Sequence, residues 1–261
     1  MIIPVYIVNA FTNQLFGGNP AAVCPLDDWL PDTQMQQMAG QHNLSETAFF
    51  VGSGDKFHIR WFTPRTEVAL CGHATLASAF VIFSHLGVQS EKIQFTSQSG
   101  SLFVTRENEQ LTLDFPAQAA KPAPVNPAIA QALGAMPTAV LTGEDLVAVF
   151  DSEAEVARLA PDFIALKQLP YRGILATAPG NQTDFVCRFF APAVGIDEDP
   201  VTGSAFTKLA PYWCQRLDKT LLKARQISAR GGDVICELVG ERVLISGMAA
   251  LYAKGEIYLQ D

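Results

Sequence analysis

The chain has little of what several function classes require. Charged residues make up only 17% of its 261 positions, and the 18 Lys and Arg form no run. With 26 Asp and Glu the net charge is −8. Binding nucleic acid takes clustered cations, so nucleic acid is not an expected partner. An anionic substrate would need local backbone donors rather than a basic field. Cysteine is scarce as well: five residues, at 24, 71, 187, 214 and 236, with no C-x-x-C pair. This argues against a disulfide framework or a zinc site and fits a reduced, cytoplasmic setting. Long apolar runs are missing. The most apolar stretch, 68–83, is interrupted by Gly72, His73, Thr75 and Ser78 and is too short and polar to span a bilayer. The start, Met1-Ile2-Ile3-Pro4-Val5-Tyr6, lacks a basic n-region and a small-residue cleavage site and reads as a first strand.

What is present is apolar and repeated. Hydrophobic residues are 49% of the chain, which indicates a globular protein with one large domain or two ordinary ones. The second half resembles the first. Arg60-Trp61-Phe62-Thr63-Pro64 recurs as Arg188-Phe189-Phe190-Ala191-Pro192, and Gly72-His73-Ala74 recurs as Gly203-Ser204-Ala205. Gln94 to Pro116 aligns without a gap on Gln226 to Met248. A period of half the chain is too long for a solenoid. It predicts two similar lobes, 1–117 and 118–261, with an active-site cleft between them and a last strand able to cross back. Prolines at 116, 122, 124 and 127, with Pro137 just beyond, mark the linker.

The patterning within each half is mostly strand around one Ala-rich helix. The first half reads as strands at 5–8, 47–51 and 57–62, a helix N-capped by Asp32, and a buried helix over 72–86. Strands at 92–97, 101–105 and 110–115 follow. The second half reads as strands at 146–150, 173–178 and 184–190, a helix at 153–159 and another at 203–217. Strands at 225–229, 233–238, 242–247 and 250–259 complete it. The expected class is α+β, with two pseudo-symmetric lobes, each a barrel-like sheet around a central helix.

Both repeats run from an aromatic strand through a loop into a helix whose first turn holds small residues. Free N–H groups and the helix dipole favour an anion at such a turn. Two matched turns predict a grip on one carboxylate. The plainer reading is ordinary strand-to-helix turns packed with small residues. Three ionisable groups lie nearby. Asp199 precedes the second helix, where it could simply cap it. His73 sits in the first turn of the first helix, a poor place for imidazolium, so it is expected neutral and able to exchange a proton. Glu46 stands beside a run of apolar strand residues. Desolvation there would raise its pKa and suit it to general acid–base work.

These segments together resemble the PhzF-like family of phenazine-biosynthesis proteins, cousins of diaminopimelate epimerase. The matching pieces are Asn9-Ala10-Phe11-Thr12, Gly18-Asn19-Pro20, Ser45-Glu46-Thr47-Ala48-Phe49 and Phe62-Thr63-Pro64 with Glu67-Val68. Further on come Cys71-Gly72-His73-Ala74-Thr75, Glu198-Asp199-Pro200-Val201-Thr202-Gly203-Ser204-Ala205 and Ala229-Arg230-Gly231-Gly232. They occur in order and span nearly the whole chain.

The resemblance implies the diaminopimelate-epimerase-like fold, usually as a homodimer, and an isomerase that needs no cofactor and no metal. It implies Glu46 as the base, with His73, Asp199 and Ser204 as substrate-binding or proton-relay partners. Asn19, Gly72, Ala74, Thr202 and Gly203 complete the expected substrate-binding set. Cys71 matches one catalytic thiol of diaminopimelate epimerase, but the second would fall near Pro200 or Val201. A two-thiol racemisation is therefore unavailable, and Cys71 is read first as a packed, inert thiol. Phe206 replaces a residue that is polar in many relatives, which leaves specificity open.

The expected activity is a proton shift on a small carboxylate-bearing metabolite. The rivals are an amino-acid racemase or epimerase, a non-catalytic small-ligand sensor on the same scaffold, and a buried polar network serving only stability. Fold and base do not name the substrate.

Overall fold

A computed structural model describes residues 1–259, and they divide into two compact units. The first comprises Met1–Phe115 together with the chain from Ser246 onward; the second is Pro116–Ile245. Both are sheet-dominated α/β structures.

The first unit is built around the helix Gly72–His85. Apolar side chains surround this helix, and Ala74, Leu76, Ala77, Ala79, Val81, Ile82 and Phe83 are all buried. A helix apolar on every side needs cover on every side. The strands Ile2–Ala10, Asn19–Leu26, Glu46–Ser53 and Ala249–Tyr258 all pack on it. Its buried hydroxyls are satisfied internally, Thr75 Oγ1 donating to the Cys71 carbonyl (2.5 Å) and Ser78 Oγ to the Ala74 carbonyl (2.7 Å). Ile2–Ala10 lies antiparallel between Asn19–Leu26 and Ala249–Tyr258, and Asn19–Leu26 runs parallel to Glu46–Ser53. Glu46–Ser53 and Lys56–Phe62 form a hairpin; Lys56–Phe62 then pairs in parallel with Lys92–Ser97.

The second unit repeats this order. Ala139–Thr142 is antiparallel to Leu146–Val149, which runs parallel to Ile174–Pro179. Ile174–Pro179 and Phe185–Ala191 form the hairpin, and Phe185–Ala191 pairs in parallel with Leu221–Gln226. The helix Gly203–Leu217 stands where Gly72–His85 stands in the first unit. Trp213 anchors it, stacked on Phe185 at 5.6 Å and donating from Nε1 to Thr177 Oγ1 (3.0 Å).

Several local expectations are corrected. Asp32 is the first residue of the helix Asp32–His42 rather than its cap; Pro31 precedes it, and the Asp32 carboxylate takes Arg60 Nη1 at 2.8 Å. The proline-rich linker is not all linker. Lys121–Ala123 is a strand on Ala139–Thr142, and Pro127 opens a short helix, Pro127–Leu133, capped by Asn126. The segment read as a strand at 225–229 begins earlier, as Leu221–Gln226. Apart from these corrections, the chain's final strand, Ala249–Tyr258, which the sequence left able to cross back, lies on Ile2–Ala10 in the first unit. No helix among the described residues is long and apolar enough to cross a membrane.

Candidate active site

The residues singled out in the sequence form two clusters, one in each unit. In the first, Asn19, Glu46, Gly72, His73 and Ala74 come together. Glu46 opens its strand opposite Ala21 of the parallel neighbour, and Asn19 lies two residues before Ala21. Gly18, at φ +65°, makes the turn that delivers Asn19; a Cβ there would sit 2.2 Å from the Ala10 carbonyl oxygen. Phe11, buried with φ +62°, holds the same loop in a conformation that costs a bulky residue energy.

Glu46 is 9% exposed and His73 4%. His73 Nε2 lies 3.3 Å from Glu46 Oε2, close but not aligned as a hydrogen bond. Burial pushes the His73 imidazole down to about 3, so the pair is a carboxyl group beside a neutral ring rather than an ion pair. The Asn19 amide nitrogen is 3.2 Å from His73 Nδ1 and can only donate. Nδ1 is then the acceptor, and the ring proton sits on Nε2, facing Glu46. Cys71 Sγ approaches the same Nδ1 at 3.5 Å.

Glu46, Cys71 and His73 offer three potential metal ligands within 4.8 Å of one another. The thiol lies at the Nδ1 edge of the imidazole and the carboxylate at the Nε2 edge, so the ring stands between the two. Cys24, Cys187 and Cys236 are fully buried, and burial pushes each thiol up.

The second cluster gathers Asp199, Thr202, Gly203 and Ser204. Asp199 is not the cap of its helix. Thr202 occupies that position, and its hydroxyl donates to Asp199 Oδ2 at 2.5 Å. Gln226, fully buried, fixes both. Its Oε1 accepts from the Thr202 N–H (2.9 Å), and its Nε2 donates to the Asp199 carbonyl (2.6 Å). Ser204 Oγ accepts from Arg172 Nη2 at 3.3 Å. Arg172 in turn forks onto the buried Asp145, at 3.0 and 2.7 Å, and Lys208 reaches Asp145 at 3.0 Å.

Both helix starts share one device. Arg60 grips Glu67 with two hydrogen bonds, 2.7 and 2.8 Å, and Arg188 grips Glu198 with the same two distances. Each guanidinium also lies over an aromatic ring of its own strand, Phe62 or Phe190. These pairs tie the loop before each helix to the strand before it. Neither helix has a side-chain cap hydrogen bond or an acidic residue in its first turn; the carboxylates of Glu46 and Asp199 stand beside the two starts, the first 3.3 Å from His73 and the second accepting from Thr202.

Matching helix starts also corrects the repeat. The counterpart of Cys71 is Thr202, since each residue immediately precedes its helix, not Pro200 or Val201. Phe206 is a core residue, fully buried and 6.2 Å from the Phe185 ring, so its side chain faces the interior of its unit. Gln226, Arg172, Asp145 and Lys208 were not singled out in the sequence. Lys208 did carry a signal, because it interrupts a helix face that is otherwise apolar through Ala205, Leu209 and Trp213.

The profile of the phenazine biosynthesis-like (PhzC-PhzF) proteins matches residues 8–255. An uncharacterized isomerase of Pseudomonas aeruginosa is 54% identical over 253 residues, 97% of each chain. The crystal structure of a PhzF-family phenazine biosynthesis protein from Enterococcus faecalis superposes with a TM-score of 0.97. It is 50% identical and is covered fully, against 99% of this chain. A probable proline racemase from Agrobacterium radiobacter shares the fold at a TM-score of 0.65 and 12% identity, covering 99% of this chain and 93% of its own. The chain therefore belongs to the phenazine biosynthesis-like family.

Proposed function

We propose that the protein is an isomerase that needs no cofactor and moves a proton on a small carboxylate-bearing metabolite, with Glu46 as general acid and base. The observation that carries this reading is the Glu46–His73 pair: a buried carboxyl group 3.3 Å from an imidazole that burial holds neutral. A base must not lose its proton to a stronger base beside it. A ring held neutral down to about pH 3 is too weak a base to do so, while its Nε2–H can still donate to a developing charge. Relatives named as isomerases support the general activity.

In this reading Glu46 takes a proton from one carbon of the substrate and returns it to another. His73 relays or stabilises, and the uncapped helix start at Gly72 and Ala74 offers N–H donors to the carboxylate. Asp199, oriented by Thr202 and Gln226, and Ser204, beside Gly203, are read as proton and hydrogen-bond partners. The two-lobed, diaminopimelate-epimerase-like description and a homodimeric assembly belong to this reading.

Stereoinversion is the second reading, favoured by the fold shared with the proline racemase. It is the weaker one because the counterpart of Cys71 is Thr202, whose hydroxyl is already committed to Asp199. A two-thiol mechanism has no second thiol. The test is proton-exchange NMR in D2O against a panel of carboxylate metabolites. Glu46→Gln is expected to abolish deuterium incorporation, a loss of at least about a hundredfold, without a large change in thermal midpoint. Undiminished exchange in that variant would sink the proposal.

A further inference from the structure

Glu46 opens the strand that lies parallel to Asn19–Leu26, in register with Ala21. Ile174 opens the equivalent strand of the second unit, parallel to Leu146–Val149 and in register with Leu146. The side chain that faces the helix start at this strand end is an acid in the first unit: Glu46 lies 3.3 Å from His73. In the second unit it is a cation. Arg172, two residues before Ile174, lies 3.3 Å from Ser204, the repeat counterpart of His73.

Arg172 is held as a receptor would be. Nε and Nη2 are occupied by Asp145, which is fully buried and further neutralised by Lys208, itself 2% exposed; the exposed Glu144 carboxylate lies 3.5 Å from Nε and 3.5 Å from the Lys208 ammonium, on the Nε side rather than at Nη1. Gly173 permits this approach: a Cβ there would fall 2.3 Å from the Phe189 ring and 3.1 Å from Asp145 Oδ1. The guanidinium lies over that same ring. Its Nη1 makes no hydrogen bond among the described residues, and the side chain is 36% exposed. Two N–H donors on a rigid, charged fork are thus presented beside a serine hydroxyl and an uncapped helix start. A guanidinium pinned on one edge and open on the other recognises a carboxylate.

We infer that Arg172 is a specificity-determining residue whose Nη1 edge, together with the Ser204 hydroxyl, binds a carboxylate group of the substrate. Because Ser204 Oγ accepts from Nη2, its own hydroxyl proton remains available to donate to a ligand. This rests on the isomerase reading for the substrate's role but not for the binding itself.

The experiment is titration of the full-length protein with acetate, benzoate and succinate, against acetamide and benzamide, followed by NMR shift perturbation. The unaltered protein is expected to bind at least one carboxylate and to prefer it over its amide. Arg172→Gln should weaken carboxylate binding by roughly tenfold or more and erase the preference over the amide. Arg172→Lys keeps a cation for Asp145 and so protects the fold; it should retain the parent thermal midpoint within a few degrees and still bind carboxylates several-fold more weakly. The readout is carboxylate binding and not turnover, so a failure of the base assignment leaves it untouched, which separates that failure from failure of this one. Carboxylate binding unchanged in both Arg172 variants, or no preference of the unaltered protein for any carboxylate over its amide, would overturn the inference.

Discussion

At the residue scale, His73 and Gln226 show how burial sets chemistry. The His73 imidazole is neutral because it is buried, and burial drives its folded-state value to about 3, below the usual 6.5. The unfolded chain therefore takes up a proton that the folded one refuses. This contribution to stability is fully present above about pH 6.5 and is lost as the pH falls toward 3. The expected slope is about 1.4 kcal/mol per pH unit for this one group. Urea unfolding at pH 7, 6, 5 and 4 should show His73→Gln losing less stability on acidification than the parent; parallel curves would contradict the neutral assignment. Gln226 is different in kind, a purely structural amide with no exposure. Gln226→Leu leaves the Thr202 N–H and the Asp199 carbonyl without their partner. It should cost roughly 2–4 kcal/mol in chemical denaturation and displace Asp199, lowering turnover as well.

At the scale of elements, the two Arg–Glu clamps are the clearest shared feature of the halves. Arg60, Arg188 and Glu67 all lie in segments whose repetition or family match is readable along the chain. The pairing itself is not readable, because strand and loop meet only through hairpin register. Arg188 and Glu198 are partly buried, with side-chain exposures of 12% and 22%. Removing one partner should therefore cost more than an exposed pair and less than a fully buried one. Arg188→Leu is expected to lose about 2–3 kcal/mol. The double variant Arg188→Leu, Glu198→Leu should recover part of that loss, as measured by a thermal or urea double-mutant cycle. Additive losses would mean that the clamp is not a coupled unit. The same scale explains the element errors. Asp32 has the chemistry of a cap, but Arg60 offers it a stronger partner. Lys121–Ala123 contains a proline and looks like linker; it becomes a strand only because Ala139–Thr142 lies ready to pair with it.

At the scale of the molecule, one unit is a single stretch of chain and the other is made of two. The segment after Gln110–Pro116 supplies Lys121–Ala123 to the first strand of the second unit. The segment after Arg242–Gly247 supplies Ala249–Tyr258 to the first strand of the first unit. Each unit thus takes a pairing strand from just beyond the end of the other's repeat. The consequence is asymmetric. Residues 116–245 form a continuous stretch of chain containing the whole second unit, whereas residues 1–115 lack the strand that covers one edge of Ile2–Ala10. An exposed strand edge invites aggregation. Expressed separately, 116–245 should melt cooperatively and keep its near-ultraviolet dichroism, while 1–115 should be aggregated or unfolded. Cooperative melting of 1–115 alone would contradict this account.

The sequence by itself determined the period, the central helices and the family, and it singled out the residues proposed for acid–base work. Local patterning and short motifs carry these: small residues at a helix start, apolar residues around a buried helix, a carboxylate at a strand's first position. The tertiary structure decided what each residue faces. It turned Phe206 into the core, matched Cys71 with Thr202, and set Arg172 against Ser204 in the second unit as Glu46 is set against His73 in the first. Such facings depend on pairings between strands far apart in the chain, where a shift of one residue turns every side chain to the other face. No local pattern records that choice.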